Sequence, residues 1–343
     1  MTMAANTVIS AKYPPLIDPT RTPLAYGDRA LQRLNRELNT SDLLTCQRAV
    51  MSLCDYLHDP EHMADAIREG IPQSLKKLLS NKDITVRQKS TECLYVVAGH
   101  AIGRESILNE NIIVPLSNLF DDKEDIARKN AHKAIEMVSE TPRGAEGIVN
   151  AKLVPKLVDK LRTEHEEIKK LILDTLHFCM RVDTEAALAN KAMEVFTELL
   201  SHNSEVIKAK TARDVMDLSV PQDGKDKAVE VKCVAVLVKL LGDPSADVRA
   251  NAAGAIMMIA ITTKGKYTAL EVNAIPPLVE LVDDPNSEVR INALKALTCL
   301  SEAPEGRKEL LTHIEKIKSR CSDSVPAVVK AATIAVKIIT WKP

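Results

Sequence analysis

The sequence predicts an all-α fold, a solenoid of about eight three-helix repeats of about 41 residues. Three observations carry this: a motif that returns at a nearly constant interval, small and apolar residues that follow it at helical spacing, and Gly, Asn or Pro punctuation between them.

The motif is visible in DITVRQKSTECL, PSADVRANAAGAI and NSEVRINALKAL. Each has an acidic entry, a β-branched residue, a base, and then small and apolar residues. Taking the β-branched position as the anchor gives Thr45, Val86, Ala127, Ile168, Ile207, Val248, Val289 and Val328, with successive differences of 41, 41, 41, 39, 41, 41 and 39. Anchor offsets of 4, 7, 8 and 11 trace one face of a helix. The offset-4 set (Ala49, Ser90, Ala131, Ile172, Thr211, Ala252, Ala293, Ala332) is mostly small. The offset-8 set (Leu53, Leu94, Ile135, Leu176, Val215, Ile256, Leu297, Val336) is larger and apolar. Small residues let neighbouring helices approach closely, and the larger ones fill the layer between repeats. This is the long third helix of each unit.

A second phrase precedes it in EGIPQSLKKLLSN, ENIIVPLSNLFDD, NAKLVPKLVDKL and NAIPPLVELVDD. There, Gly or Asn closes a short helix and Pro opens the next, where a first-turn N–H has no intrahelical partner. Together the two phrases resemble armadillo repeats, with the Asp/Glu-x-Val-Arg entry shared by HEAT repeats. The resemblance implies a right-handed superhelix over residues 28–343. The units around MEVFTELLSHNSEVIKAKTARDVMDL and SVPQDGKDKAVEVKC break the punctuation, so altered curvature or a loop is expected there. Residues 1–27 are not repeat-like. YPPLIDPTRTPLAYG reads as an extended, Pro-rich N-terminal strap carrying Tyr13, Leu16, Ile17, Leu24 and Tyr26.

Composition narrows the function. The chain has 343 residues, a formal net charge of -1 and 3% aromatic residues. A core this poor in aromatic residues suits thin, closely packed helices, and the balanced charge gives no global attraction for nucleic acid or anionic lipid. Seven scattered cysteines with no C-x-x-C pair imply reduced thiols and no disulfide framework. MTMAANTVIS lacks a basic stretch followed by an apolar one, and Thr2 stands where myristoylation needs Gly. An intracellular, unanchored protein is expected.

Sequence signals for chemistry are weak. Gly224-Lys225 and Gly265-Lys266 lack the rest of a phosphate-binding loop, and neither a nucleophile elbow nor a zinc-protease helix occurs. Cys54, His58 and His62 have ligand-like spacing, but Pro60 interrupts the helix face they would share. No catalytic residue, cofactor site or metal site is predicted. The bases after the anchor, Arg87, Arg128, Lys169, Lys208, Arg249 and Arg290, are read as inter-repeat ion-pair partners of acids such as Asp83, Asp125, Glu167, Glu205, Asp247 and Glu288.

Peptide-binding armadillo proteins carry a Trp and an Asn one turn apart on the third helix. Here the Trp positions hold Met51, Glu92, Lys133, Asp174, Arg213, Gly254, Lys295 and Ile334, and the Asn positions hold Asp55, Val96, Met137, Phe178, Asp217, Met258, Cys299 and Ile338. A nuclear-import adaptor is therefore a poor reading. The same surface offers a partner-binding groove of Arg48, Lys89, Val96, Lys133, Met137, Phe178, Lys210, Arg213, Met258 and Lys295, suited to an acidic and apolar segment of another protein.

The stretch PPLIDPTRTPLAYGDRALQRLNRELNTSDLLTCQRAVMSLCDYLHDPEHMADAIREG resembles the opening of the radial spoke head 14 family, through its ID-P-T, A-YG, RAL, LN-EL and LCD-HDPE elements. The resemblance implies a non-catalytic structural subunit of the radial spokes of motile cilia and sperm flagella. It also implies other radial spoke subunits as partners and a place in the cytoplasm and cytoskeleton at the axoneme of the cilium or flagellum. It implies no nucleic acid, membrane or small-molecule substrate, and no cofactor. A soluble cytosolic or nuclear armadillo-type adaptor is the alternative.

Overall fold

The computed structural model describes residues 30–342, so the N-terminal strap read at 1–27 lies outside the described residues. Among those residues every regular element is helical, and no helix is long and apolar enough to cross a membrane. The long helices are Leu43–Leu57, Ile84–Ala98, Asp125–Ser139, Glu166–Met180, Glu205–Leu218, Ala246–Ile259, Ser287–Leu300 and Pro326–Ile339. Each begins two residues before its predicted anchor, so the repeat register read from the sequence is the register of the fold. The described residues divide into two compact units, with the boundary between Val138 and Ser139.

In the first unit, Ala30–Leu38 packs on Leu43–Leu57, which packs on Ile84–Ala98. Asp42 and Asp83 cap these two long helices, accepting hydrogen bonds from the amides of Thr45 and Val86, both at 2.9 Å. The next long helix docks through Asn130, which donates to the Gln88 carbonyl at 3.4 Å. In the second unit, the long helices from Glu166 to Ile339 pack each on the next. The same asparagine device recurs there: Asn251 donates to the Ala209 carbonyl at 3.0 Å and Asn292 to that of Ala250 at 2.9 Å. The anchors Val86, Ile207, Val248, Val289 and Val328 are fully buried, as are Ala252, Ala293 and Ala332. Burying these faces is the main drive for stacking.

The first and second helices of successive repeats turn on a left-handed residue: Gly70, Asn111, Lys152, Lys191, Lys232 and Asn273, with φ between 53° and 74°. Gly and Asn match the expected punctuation, but three repeats place Lys there, which the sequence pattern did not single out. A non-glycine side chain in this region is strained by contact with its own carbonyl. Another close approach is repeated where a first helix crosses the end of the preceding long helix. A Cβ on Gly103, Gly224, Gly265 or Gly306 would stand 1.8–2.3 Å from the carbonyl oxygen of Val97, Leu218, Ile259 or Leu300. SVPQDGKDKAVEVKC is therefore not irregular: it forms the ordinary first helix Gln222–Glu230, with Gly224 in the common position. The departure in the middle units lies earlier, where the first helix shrinks to Glu185–Ala189.

Candidate functional site

Four of the bases after the anchor pair between repeats with acids other than those expected, while Arg128 pairs with the expected Asp125 of its own helix at 2.7 Å. Arg87 donates to Asp122 at 2.6 Å, Arg249 to Asp284 at 2.8 Å, Arg290 to Asp323 at 3.0 Å, and Lys208 pairs with Asp243. Each acid stands five residues before the next anchor, in the loop that enters the next long helix. Its other role is to organise that loop: Asp122, Asp243, Asp284 and Asp323 accept hydrogen bonds from the amides two residues on, Glu124, Ser245, Asn286 and Val325. The arginines also hold their own entry loops, as Arg249 does by donating to the Asp243 and Pro244 carbonyls. Burial disfavours the charged form of Asp122, but the Arg87 guanidinium and the Glu124 amide outweigh it and hold the carboxyl below its ordinary value. This ladder is architecture, and its charges are already spent.

The exposed faces of the long helices remain as the candidate interface, and the two units differ. In the first unit the face is apolar at its N-terminal edge, where Leu43, Leu44, Ile84 and Ile126 are each 46–58% exposed and Met51 lies a turn or two further along. Arg48 is exposed beside them. Lys133 lies 4.0 Å from the centre of the Tyr95 ring, a cation–π contact between neighbouring long helices. Lys89 pairs with Glu92 at 2.8 Å, Met137 is half-buried, and Val96 is buried and presents no surface to a partner.

In the second unit the N-terminal edge is acidic: Glu205, Asp247 and Glu288 border a depression of about 400 Å³ with Lys210 and Arg213 in its wall. Acids at these helix starts also complement the helix dipole. Lys210 bonds both oxygens of Asp174 at 2.6 Å, and Arg213 bonds Asp174 at 3.1 Å and Asp214 at 3.0 Å. Two of the bases expected to face an acidic partner are therefore neutralised within the chain. Lys295 is exposed, and Phe178 and Met258 are half-buried.

The sequence reading missed one cluster. His177 Nδ1 lies 2.6 Å from an Asp217 oxygen, joining consecutive long helices, and Asp214 stands one turn away. Asp214 is fully buried, and burial raises its carboxyl well above the usual range although Arg213 opposes the shift. The signal was present, since Asp214 is the one charged residue in the offset-7 set, otherwise Ser52, Cys93, Ala134, Thr175, Ala255, Ala296 and Ala335. By contrast, Cys54 is buried, while the His62 ring stacks on Tyr56 at 3.7 Å and shares a hydrogen bond with its carbonyl. All seven cysteines are free thiols, and burial pushes Cys179 and Cys233 up to about 12, which leaves them poor nucleophiles.

The fold and its ladders define an α-solenoid of helical repeats. The family model described as HEAT repeats matches residues 193–298 and 234–337. Among solved structures, the chain is similar to an engineered protein from the Northeast Structural Genomics Consortium, at 20% identity and a TM-score of 0.67, over 92% of this chain and 89% of that one. A second engineered protein from the same consortium matches at 20% identity and a TM-score of 0.47, over 78% of this chain and 96% of that one.

Proposed function

We propose that this chain is a non-catalytic protein-binding scaffold, and that it serves as a structural subunit of the axonemal radial spoke in motile cilia and sperm flagella. The observation that carries the scaffold reading is the row of exposed aliphatic side chains, Leu43, Leu44, Met51, Ile84 and Ile126, on successive long helices of the first unit. Apolar side chains held in water along a rigid array favour burial against another protein. Arg48, Lys133 and Met137 extend that face, while Phe178, Met258 and Lys295 offer separate contacts in the second unit. With Lys210 and Arg213 neutralised and Glu205, Asp247 and Glu288 on the edge, a partner of the second unit meets an acidic border and not a basic stripe.

The assignment to the radial spoke rests on the resemblance of the N-terminal segment, whose LN-EL and LCD-HDPE elements lie in and around the first two described helices. Partners are then other spoke subunits, and the location is the ciliary or flagellar cytoskeleton. Graded salt extraction of demembranated axonemes, followed by quantitative mass spectrometry, tests this. Co-release with spoke components supports the reading, and release into the first soluble wash refutes the axonemal part of it.

A further inference from the structure

His177, Asp214 and Asp217 each offer one ligand atom, and the three atoms lie within 4.8 Å of one another. Among the described residues this is the group of three metal-ligating side chains that converges. Asp214 and Asp217 are one turn apart on Glu205–Leu218, and His177 reaches across from Glu166–Met180.

Charge and hydrogen bonding distinguish this group from an ordinary surface cluster. Asp214 Oδ1 accepts from Arg213 Nε at 3.1 Å and Nη2 at 3.0 Å, which fixes the carboxylate plane. Its Oδ2 is buried and has no hydrogen-bond partner. A carboxylate oriented by a guanidinium, with one oxygen left over, is the arrangement that supports metal ligands. Lys210 and Arg213 pair with Asp174, and Arg213 also with Asp214. The third carboxylate, Asp217, meets only His177 among the described residues, and the free Asp214 Oδ2 lies where water cannot solvate it.

We infer that His177, Asp214 and Asp217 form a binding site for a divalent transition metal of the zinc class. One imidazole and two carboxylate oxygens are a ligand set for zinc, with the remaining coordination position taken by water. Tetrahedral zinc needs its ligand atoms about 3.3 Å apart, so the cluster closes by small side-chain rotations. Asp217 also lines an open depression of about 510 Å³ with Met180, Val182 and Val220, which gives an ion a route from solvent. His177 and Asp217 keep 19% and 15% of their side-chain surface exposed, so the entry side of the site is wet. A bound metal would clamp two consecutive long helices at a point where most repeats carry only small residues.

The test is calorimetric titration of zinc chloride into metal-free, full-length protein under reducing conditions, alongside His177→Ala, Asp217→Asn and a control, His58→Ala, at an exposed position in the first unit. Expected are one zinc per chain in the wild type and the control, an affinity at least about tenfold weaker in each site variant, and a zinc-dependent rise in melting temperature confined to the wild type and control. Asp217→Asn keeps the side-chain shape at a partly exposed position, so it reports even if His177→Ala fails to fold. Absence of saturable binding in the wild type, or wild-type affinity in either folded site variant, overturns the assignment.

Discussion

Arg249 reaches from one repeat to Asp284 of the next at 2.8 Å, while the same guanidinium holds the Asp243 and Pro244 carbonyls of its own entry loop. One side chain thus fixes both the start of its own long helix and the spacing to its neighbour. The pair is 15% and 5% exposed, dry enough for loss of one partner to leave the other inadequately solvated. Asp284→Ala should cost about 2–3 kcal/mol, read as a fall in the urea midpoint. A change under about 0.5 kcal/mol, the range of ordinary surface substitutions, would show that the ladder is ornamental.

The corresponding Asp122 has its pKa lowered in the folded chain. Its unfolded value is about 3.9, so the stabilisation is complete above that value and is lost as pH falls through the folded one. Asp122→Asn should therefore be less stable than wild type at neutral pH, with the gap narrowing as pH falls below about 4. Urea midpoints of both proteins across that range check it; a constant gap contradicts it.

Gly265 has no room for a side chain, since a Cβ would stand 2.1 Å from the Ile259 carbonyl oxygen. Backbone cannot yield as a flexible side chain can. Gly265→Ala should destabilise by about 3 kcal/mol or more, despite the gain in helix propensity. Thermal unfolding followed by circular dichroism would register it, and a neutral or stabilising result rules out the close approach.

Lys232 sits at φ 60° in the turn before Cys233–Leu240. Removing its Cβ relieves left-handed strain worth about 1–2 kcal/mol, against about 0.5–1 kcal/mol of added chain entropy. Lys232→Gly should raise stability by up to about 1 kcal/mol, and Lys191→Gly at φ 61° should do likewise. A lowered melting temperature in both would contradict the conformational argument.

What the sequence discloses follows from how local each feature is. The register of the long helices was legible because small and apolar side chains recur at helical offsets from Val86, Val248 and Val289. The ladder was legible as an idea and mistaken in its inter-repeat partners: Asp125 pairs with Arg128 as expected, but Asp247 and Glu288 point out at the helix starts, while Asp284 and Asp323 do the pairing from the loops. Lys152, Lys191 and Lys232 gave no warning of their left-handed backbone, because lysine carries no turn preference and tertiary packing imposes that conformation. The site residues divide the same way. Arg48 and Lys295 are exposed, whereas Val96 is buried, and Lys210 and Arg213 are turned to Asp174 and Asp214. Asp214 stood out among small residues, but its relation to His177 spans two repeats and needs the fold to be seen.

The central claim is that the exposed faces of the long helices hold other proteins. Lysine-directed cross-linking of intact axonemes, read by mass spectrometry, tests it most directly. Cross-links to spoke subunits are expected from Lys133 and Lys295 on the long helices. Cross-links confined to Lys191 and Lys232, in the turns between the short helices, would place the partners away from the long-helix faces and contradict it.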